Sequence, residues 1–160
     1  MEQAKEIERV IGVLNDLIKI NQDRISGYEK AASEIQDTME AEIKSMYFQH
    51  SEESRGFKDS LTESVTRLGG RPADNSTIAG TIYRAWMDVK ATFSGDDTVA
   101  SLQSCEFGED AALKAYREAL DEKSAMPAGV RSLVESQYES LKASHNRVKR
   151  YRDEYAAAHK

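Results

Sequence analysis

Apolar side chains recur along this chain at alternating steps of three and four, the spacing that lines up one face of an α-helix. Ile7, Ile11, Leu14, Ile18, Asn21, Ile25, Tyr28, Ala32 and Ile35 keep that rhythm and predict a first helix over about Ala4–Ile35, with Asn21 its only polar interruption. Ile43, Met46, His50, Glu53, Phe57, Leu61, Val65 and Leu68 predict a second over about Glu40–Leu68, broken by His50 and Glu53. Gly69-Gly70 then offers a C-cap, and Pro72 blocks any continuation. Ile78, Ile82, Trp86, Val89 and Phe93 mark a shorter helix over about Thr77–Phe93. Leu102, Glu106, Glu109, Leu113, Tyr116 and Leu120 mark a third long helix over about Thr98–Lys123, and its seam carries two carboxylates where leucine is usual. Pro127, favoured in a first helical turn, opens a fourth. That helix runs to about Tyr155 with Val130, Val134, Gln137, Leu141, Ser144, Val148 and Tyr151 inside, Tyr138 and His145 on the flank, and the tail AAAHK fraying beyond it.

The connection near Gln36–Thr38 is short and makes helices one and two antiparallel neighbours. The turn before Pro127 does the same for helices three and four. The Thr77–Phe93 helix can carry the chain back along the bundle, which lets helices two and three run parallel. The expected fold is therefore all-α: a four-helix bundle with an additional helix in the crossover between helices two and three, in one domain over residues 1–160. Only 2 Pro and 9 Gly, with 31% charged residues, suit such a chain.

Polar seam residues raise the question of chemistry, because an unpartnered buried carboxylate costs several kcal/mol or more. Counting residues from each turn puts Glu53 level with Glu106 and Glu109, sets His145 opposite the glutamate pair, and brings Asn21 and Asp23 to the same height. His50, Glu53, Glu106, Glu109 and His145 then form one candidate layer. Carboxylates and imidazoles at i, i+3 spacing on facing helices are the ligand types of a bundle-core metal site, suited to iron, manganese or zinc. The same groups can instead form a metal-free hydrogen-bond network that fixes helix register.

Charge and composition narrow the partners. With 22 Lys+Arg against 28 Asp+Glu the net charge is -6, which speaks against a nucleic-acid or anionic-membrane surface. No apolar run approaches a membrane span, and the charged N-terminus is unlike a signal peptide, so a cytoplasmic protein is expected. The single cysteine, Cys105, excludes an intramolecular disulfide and is read as a small core residue. Trp86 is read as packing the crossover helix onto the bundle, and Arg147, Lys149, Arg150 and Arg152 as a solvated face near a helix C-terminus. No nucleotide-binding or hydrolase motif is present.

The segments VLNDLI, GYEKAA, LGGRPADNSTIAGTIYRAWMDVKATFSGDD, CEFGEDAALKAYREAL and VRSLVESQYESLKASHNRV resemble the bacterial ferritin-like four-helix-bundle proteins that carry a domain of unknown function and lie near rubrerythrin. The resemblance covers nearly the whole chain and implies the bundle fold and a bacterial source, without an established activity. Rubrerythrin-like proteins carry Glu on helix one, Glu-x-x-His on helices two and four, and Glu-x-x-Glu on helix three. Glu106 and Glu109 match the third element. Glu53 is followed by Gly56 and Glu135 by Tyr138, so both histidines of that pattern are absent and oxidase or peroxidase chemistry lacks its ligand set. A metal held by Glu53, Glu106, Glu109, His50 and His145 would be a rearranged site. The alternative is a metal-free structural or interaction protein that forms a homo-oligomer such as a homodimer.

Overall fold

The computed structural model describes residues 2–35, 41–73, 98–121 and 126–158. Four helices account for nearly all of them: α1 (Glu2–Glu34), α2 (Ala41–Arg67), α3 (Thr98–Asp121) and α4 (Ala128–Ala158). The helix expected over Thr77–Phe93 lies outside the described residues. Helix α4 runs three residues past the expected Tyr155, through Ala156, Ala157 and Ala158. Alanine is the strongest helix former, so the end of the apolar stripe does not stop it.

Side-chain bonds between neighbouring helices fix their directions. Along α1 and α2, Gln22 meets Lys58, Arg24 meets Ser54 and the carbonyl of Ile35, just past the end of α1, meets Lys44, with one number rising as the other falls. Along α3 and α4, Tyr116 meets Gln137, Asp110 meets His145 and Glu106 meets Arg152. Both pairs are antiparallel. Asn21–Tyr116 and Arg24–Glu109 make α1 antiparallel to α3 as well, which leaves α2 and α3 parallel. The closest packing is within the pairs α1–α2 and α3–α4, which meet mainly through α1 and α3.

The end of α2 shows why the chain turns where it does. Gly69 has a φ of 84°, a left-handed conformation that costs other residues energy. Its N–H donates to the Thr66 carbonyl at 3.0 Å, and the Gly70 N–H donates to the Val65 carbonyl at 3.0 Å, the paired bonds of a Schellman cap. A Cβ on Gly70 would come within 2.8 Å of the Ile11 side chain, so glycine here allows α1 and the chain after α2 to close together. Asn15 then holds that chain from both sides: its Nδ2 donates to the Arg71 carbonyl at 3.1 Å and its Oδ1 accepts from the Ala73 N–H at 2.7 Å. Pro127 stands one residue before α4, and its carbonyl accepts the first helical bond from the Arg131 N–H at 2.9 Å.

The apolar interior is divided in two. One cluster gathers Val10, Leu14, Leu17, Ile18, Leu61, Val65, Leu113, Tyr116, Val134 and Leu141. The other gathers Tyr28, Ala31, Ile35, Ile43, Met46, Tyr47, Leu102, Cys105 and Val148. Burying each large side chain contributes about 1.5–3 kcal/mol. Between the clusters lies a polar layer to which every helix contributes. The most buried row of α1 is Val10, Leu14, Leu17, Asn21, Arg24, Tyr28, Ala31 and Ile35. The expected seam is buried as well from Leu14 onward, with Ile18, Ile25 and Ala32 beside this row, but its first residue Ile7 is 40% exposed, and Arg24, which it left out, is buried.

Candidate functional site

Arg24 is completely buried and organises the layer. Its Nε and Nη2 donate to the two oxygens of Glu109, the Nη2 contact at 3.2 Å, and Nη2 also reaches Glu53 Oε1 at 2.9 Å. Nη1 donates to the His50 carbonyl at 3.1 Å and to Ser54 Oγ at 2.7 Å. Every N–H of the guanidinium therefore has an acceptor, as burial of a permanently charged group demands. The fork-on-carboxylate contact with Glu109 is the strong, geometrically specific kind of ion pair.

The network runs on through all four helices. Ser54 donates to Asn21 Oδ1 at 2.9 Å, and Asn21 Nδ2 donates to the Leu17 carbonyl and to the Tyr116 hydroxyl, both at 2.8 Å. Tyr116 donates to Gln137 Oε1 at 2.7 Å, and Gln137 Nε2 donates to the Phe57 carbonyl at 3.3 Å. On the other side Ser144 donates to Glu53 Oε1 at 2.9 Å. Burial pushes the Tyr116 phenol well above its ordinary range, so it remains a donor. Burial likewise pushes the Glu109 carboxyl up, with Arg24 beside it pulling the other way. Arg24 is in turn held protonated by Glu109 and Glu53 against its own desolvation.

His50 lies in this layer with its ring edge-on to Tyr28, centroids 5.0 Å apart at 79°. It is 3% exposed, and its Nδ1 has no hydrogen-bond partner among the described residues. Burial, with Arg24 and then Arg147 as neighbouring cations, lowers its pKa from 6.5 to about 3. The imidazole is therefore neutral. Asp23 is also fully buried on α1.

A metal on the bundle axis does not fit this donor set. Glu53 and Glu109 are the inward carboxylates that would ligate it, and both are turned onto a guanidinium that cannot lose its proton. An ion there would have to expel Arg24 or share its space.

Glu106 and His145 lie elsewhere. Three residues along a helix leave two side chains about 60° apart. Glu109 points at the axis, so Glu106 is rotated to the α4 flank, where Arg152 Nη1 pairs with it. One turn further on, Asp110 Oδ1 is 2.7 Å from His145 Nε2. Glu106, Asp110 and His145 each offer one ligand atom, all within 4.8 Å of one another. Glu106 is half-buried, Asp110 exposed, and His145 only 18% exposed. The five residues expected in a single layer are thus parted: Glu53, Glu109 and His50 around Arg24, Glu106 and His145 beside Asp110. Glu135, the other carboxylate of the rubrerythrin-like pattern, is exposed and near Arg131 at 3.6 Å, outside both groups. Arg24 and Asp110 were missed from sequence. The series Val10, Leu14, Leu17, Asn21, Arg24, Tyr28 carries the signal for the first, and the i, i+4 spacing from Glu106 the signal for the second.

Residues 9–122 match a family model described as a domain of unknown function, DUF2383. The chain belongs to this family. No curated protein sequence matches it. Among solved structures, this DUF2383 chain is similar to a dodecameric thioferritin, the bacterioferritin-related protein of Bacteroides fragilis, with a TM-score of 0.74 and 15% identity over 95% of this chain and 89% of that one. A Dps1 mutant of Mycobacterium smegmatis gives 0.74 and 16% over 92% and 97%. A ferritin-like diiron-carboxylate protein of Bacillus anthracis gives 0.65 and 17% over 94% and 96%. The DUF2383 bundle is therefore ferritin-like in fold. No helix among the described residues is long and apolar enough to cross a membrane.

Proposed function

We propose that this protein binds a divalent transition-metal ion, iron, manganese or zinc, on the α3–α4 flank through Glu106, Asp110 and His145. The observation that carries the reading is the convergence of two carboxylates and an imidazole from two helices within 4.8 Å. Ferritin-like similarity supports metal handling as the class of function. Two carboxylates and one imidazole suit these ions, and three protein ligands leave positions for water or an exchanging group. Exposed Asp110 gives the ion a way in. Arg152 competes for Glu106 but binds one carboxylate oxygen, and the other keeps its acceptor capacity.

Calorimetric titration of chelator-treated protein with Mn²⁺ or Zn²⁺ should show one ion per chain and a melting temperature that rises with free metal. His145→Ala should weaken that binding at least about tenfold, since even supporting groups of metal sites matter by about 10–100-fold. Wild-type affinity in His145→Ala, or no binding at all, would overturn the reading.

The same fold argues for a homo-oligomer, as in the dodecameric thioferritin. Ile7, Phe48 and Phe107 are 40%, 47% and 60% exposed, apolar surface that contact with further copies would cover. Light scattering coupled to size exclusion should give a mass above that of one chain. A single-chain mass at micromolar concentration would refute it.

A further inference from the structure

We propose that Arg24 is the resident cation of the bundle axis, standing between Glu53 and Glu109 where a ferritin-like carboxylate centre holds its metal, so that vacating it opens a latent divalent-metal site. In di-iron carboxylate bundles the ligands project inward from all four helices at one level. The polar layer here has the same plan: Asn21 and Arg24 come from α1, Glu53 and Ser54 from α2, Glu109 and Tyr116 from α3, Gln137 and Ser144 from α4. What differs is the source of positive charge. Arg24 brings it covalently, from one helix to carboxylates on two others, and spends every N–H on the surrounding shell.

Two consequences follow. The layer ties α1 to α2 and α3 whatever the metal supply, as a bound ion would tie them only when present. It also keeps metal off the axis, so ions are left to groups outside the layer. If Arg24 acts as a cation surrogate, the shell around it remains a cation shell when the arginine is removed. Glu53 and Glu109 supply the charge, and the buried His50 imidazole, packed against the Tyr28 ring that Arg24 also meets and with Nδ1 lacking a partner among the described residues, offers a further ligand atom.

The test is made in a His145→Ala background, so that it stands apart from the flank site and its outcome does not depend on that reading. His145→Ala alone should take up no axial Mn²⁺ or Zn²⁺. Adding Arg24→Ala should give a chain that binds one ion, gains melting temperature with it, and loses the uptake again with Glu109→Gln. Should the double variant be unfolded without metal, refolding from urea with Mn²⁺ or with chelator reads the same property: helical circular dichroism and a cooperative transition return only with the ion. A double variant that binds no ion, binds it regardless of Glu109→Gln, or stays unfolded under both conditions overturns the proposal.

Discussion

Glu109→Leu is expected to destabilise the fold by about 3–5 kcal/mol, the cost of leaving a buried charge without its partner. Arg24 has no exposed surface and no neutral form to retreat to, so losing Glu109 strands a full positive charge between two apolar clusters. Glu53 cannot take over: its side chain is 26% exposed and it meets Nη2 alone, whereas Glu109 is fully buried and engages Nε and Nη2 together. Urea unfolding should therefore show a much larger midpoint shift for Glu109→Leu than for Glu53→Leu. The double variant Arg24→Met with Glu109→Leu should recover most of the loss, because an apolar pair of similar volume removes the desolvation cost of both charges. A single-variant loss below about 1 kcal/mol would place the pair among weak, solvated ion pairs and sink the argument. So would a double variant worse than the single.

The helices were legible because burial imposes its period on sequence. Seams at three-and-four spacing, the left-handed Gly69 of the cap and Pro127 each state a local requirement. Counting from the turns also brought out a polar level shared by all four helices, and Glu53, Glu109 and Ser144 meet around that level. Direction around each helix was harder to read. A seam drawn through both Glu106 and Glu109 spans about 60° of helix surface, enough for one to face the axis and the other a neighbour's flank. Arg24 was hidden for a different reason. A long cationic side chain usually carries its charge to water, and only partners 26 to 85 residues away in sequence make its burial tolerable. Such pairing belongs to the assembled bundle and has no local mark. The resemblance to rubrerythrin-like proteins pointed the same way through its departures. Gly56, at a position where that pattern has histidine, is exposed, with open space where a side chain would project, and Glu135 lies on the surface.

His50 sets the second large effect, one that depends on pH. In the folded chain its pKa is about 3, against an ordinary 6.5. Between those values the unfolded chain takes up a proton that the folded chain refuses, so the stability contributed by the neutral imidazole is complete above about pH 6.5 and declines as pH falls. The slope contributed by this group approaches about 1.4 kcal/mol per pH unit. Glu109 tilts the other way: a carboxyl raised by burial gives up stability as pH rises through its folded pKa. That term is common to wild type and His50→Leu and drops out of their difference. The gap between the two chains, followed by urea midpoints from pH 7.5 down to the onset of acid unfolding, should stay level above about pH 6.5 and then move against the wild type by about 1.4 kcal/mol per unit. A gap that stays constant down to pH 4 would mean that the folded chain protonates His50 at no extra cost. The layer would then have to accept another cation beside Arg24 and near Arg147, and the wild-type bundle would hold a negative group close enough to balance it.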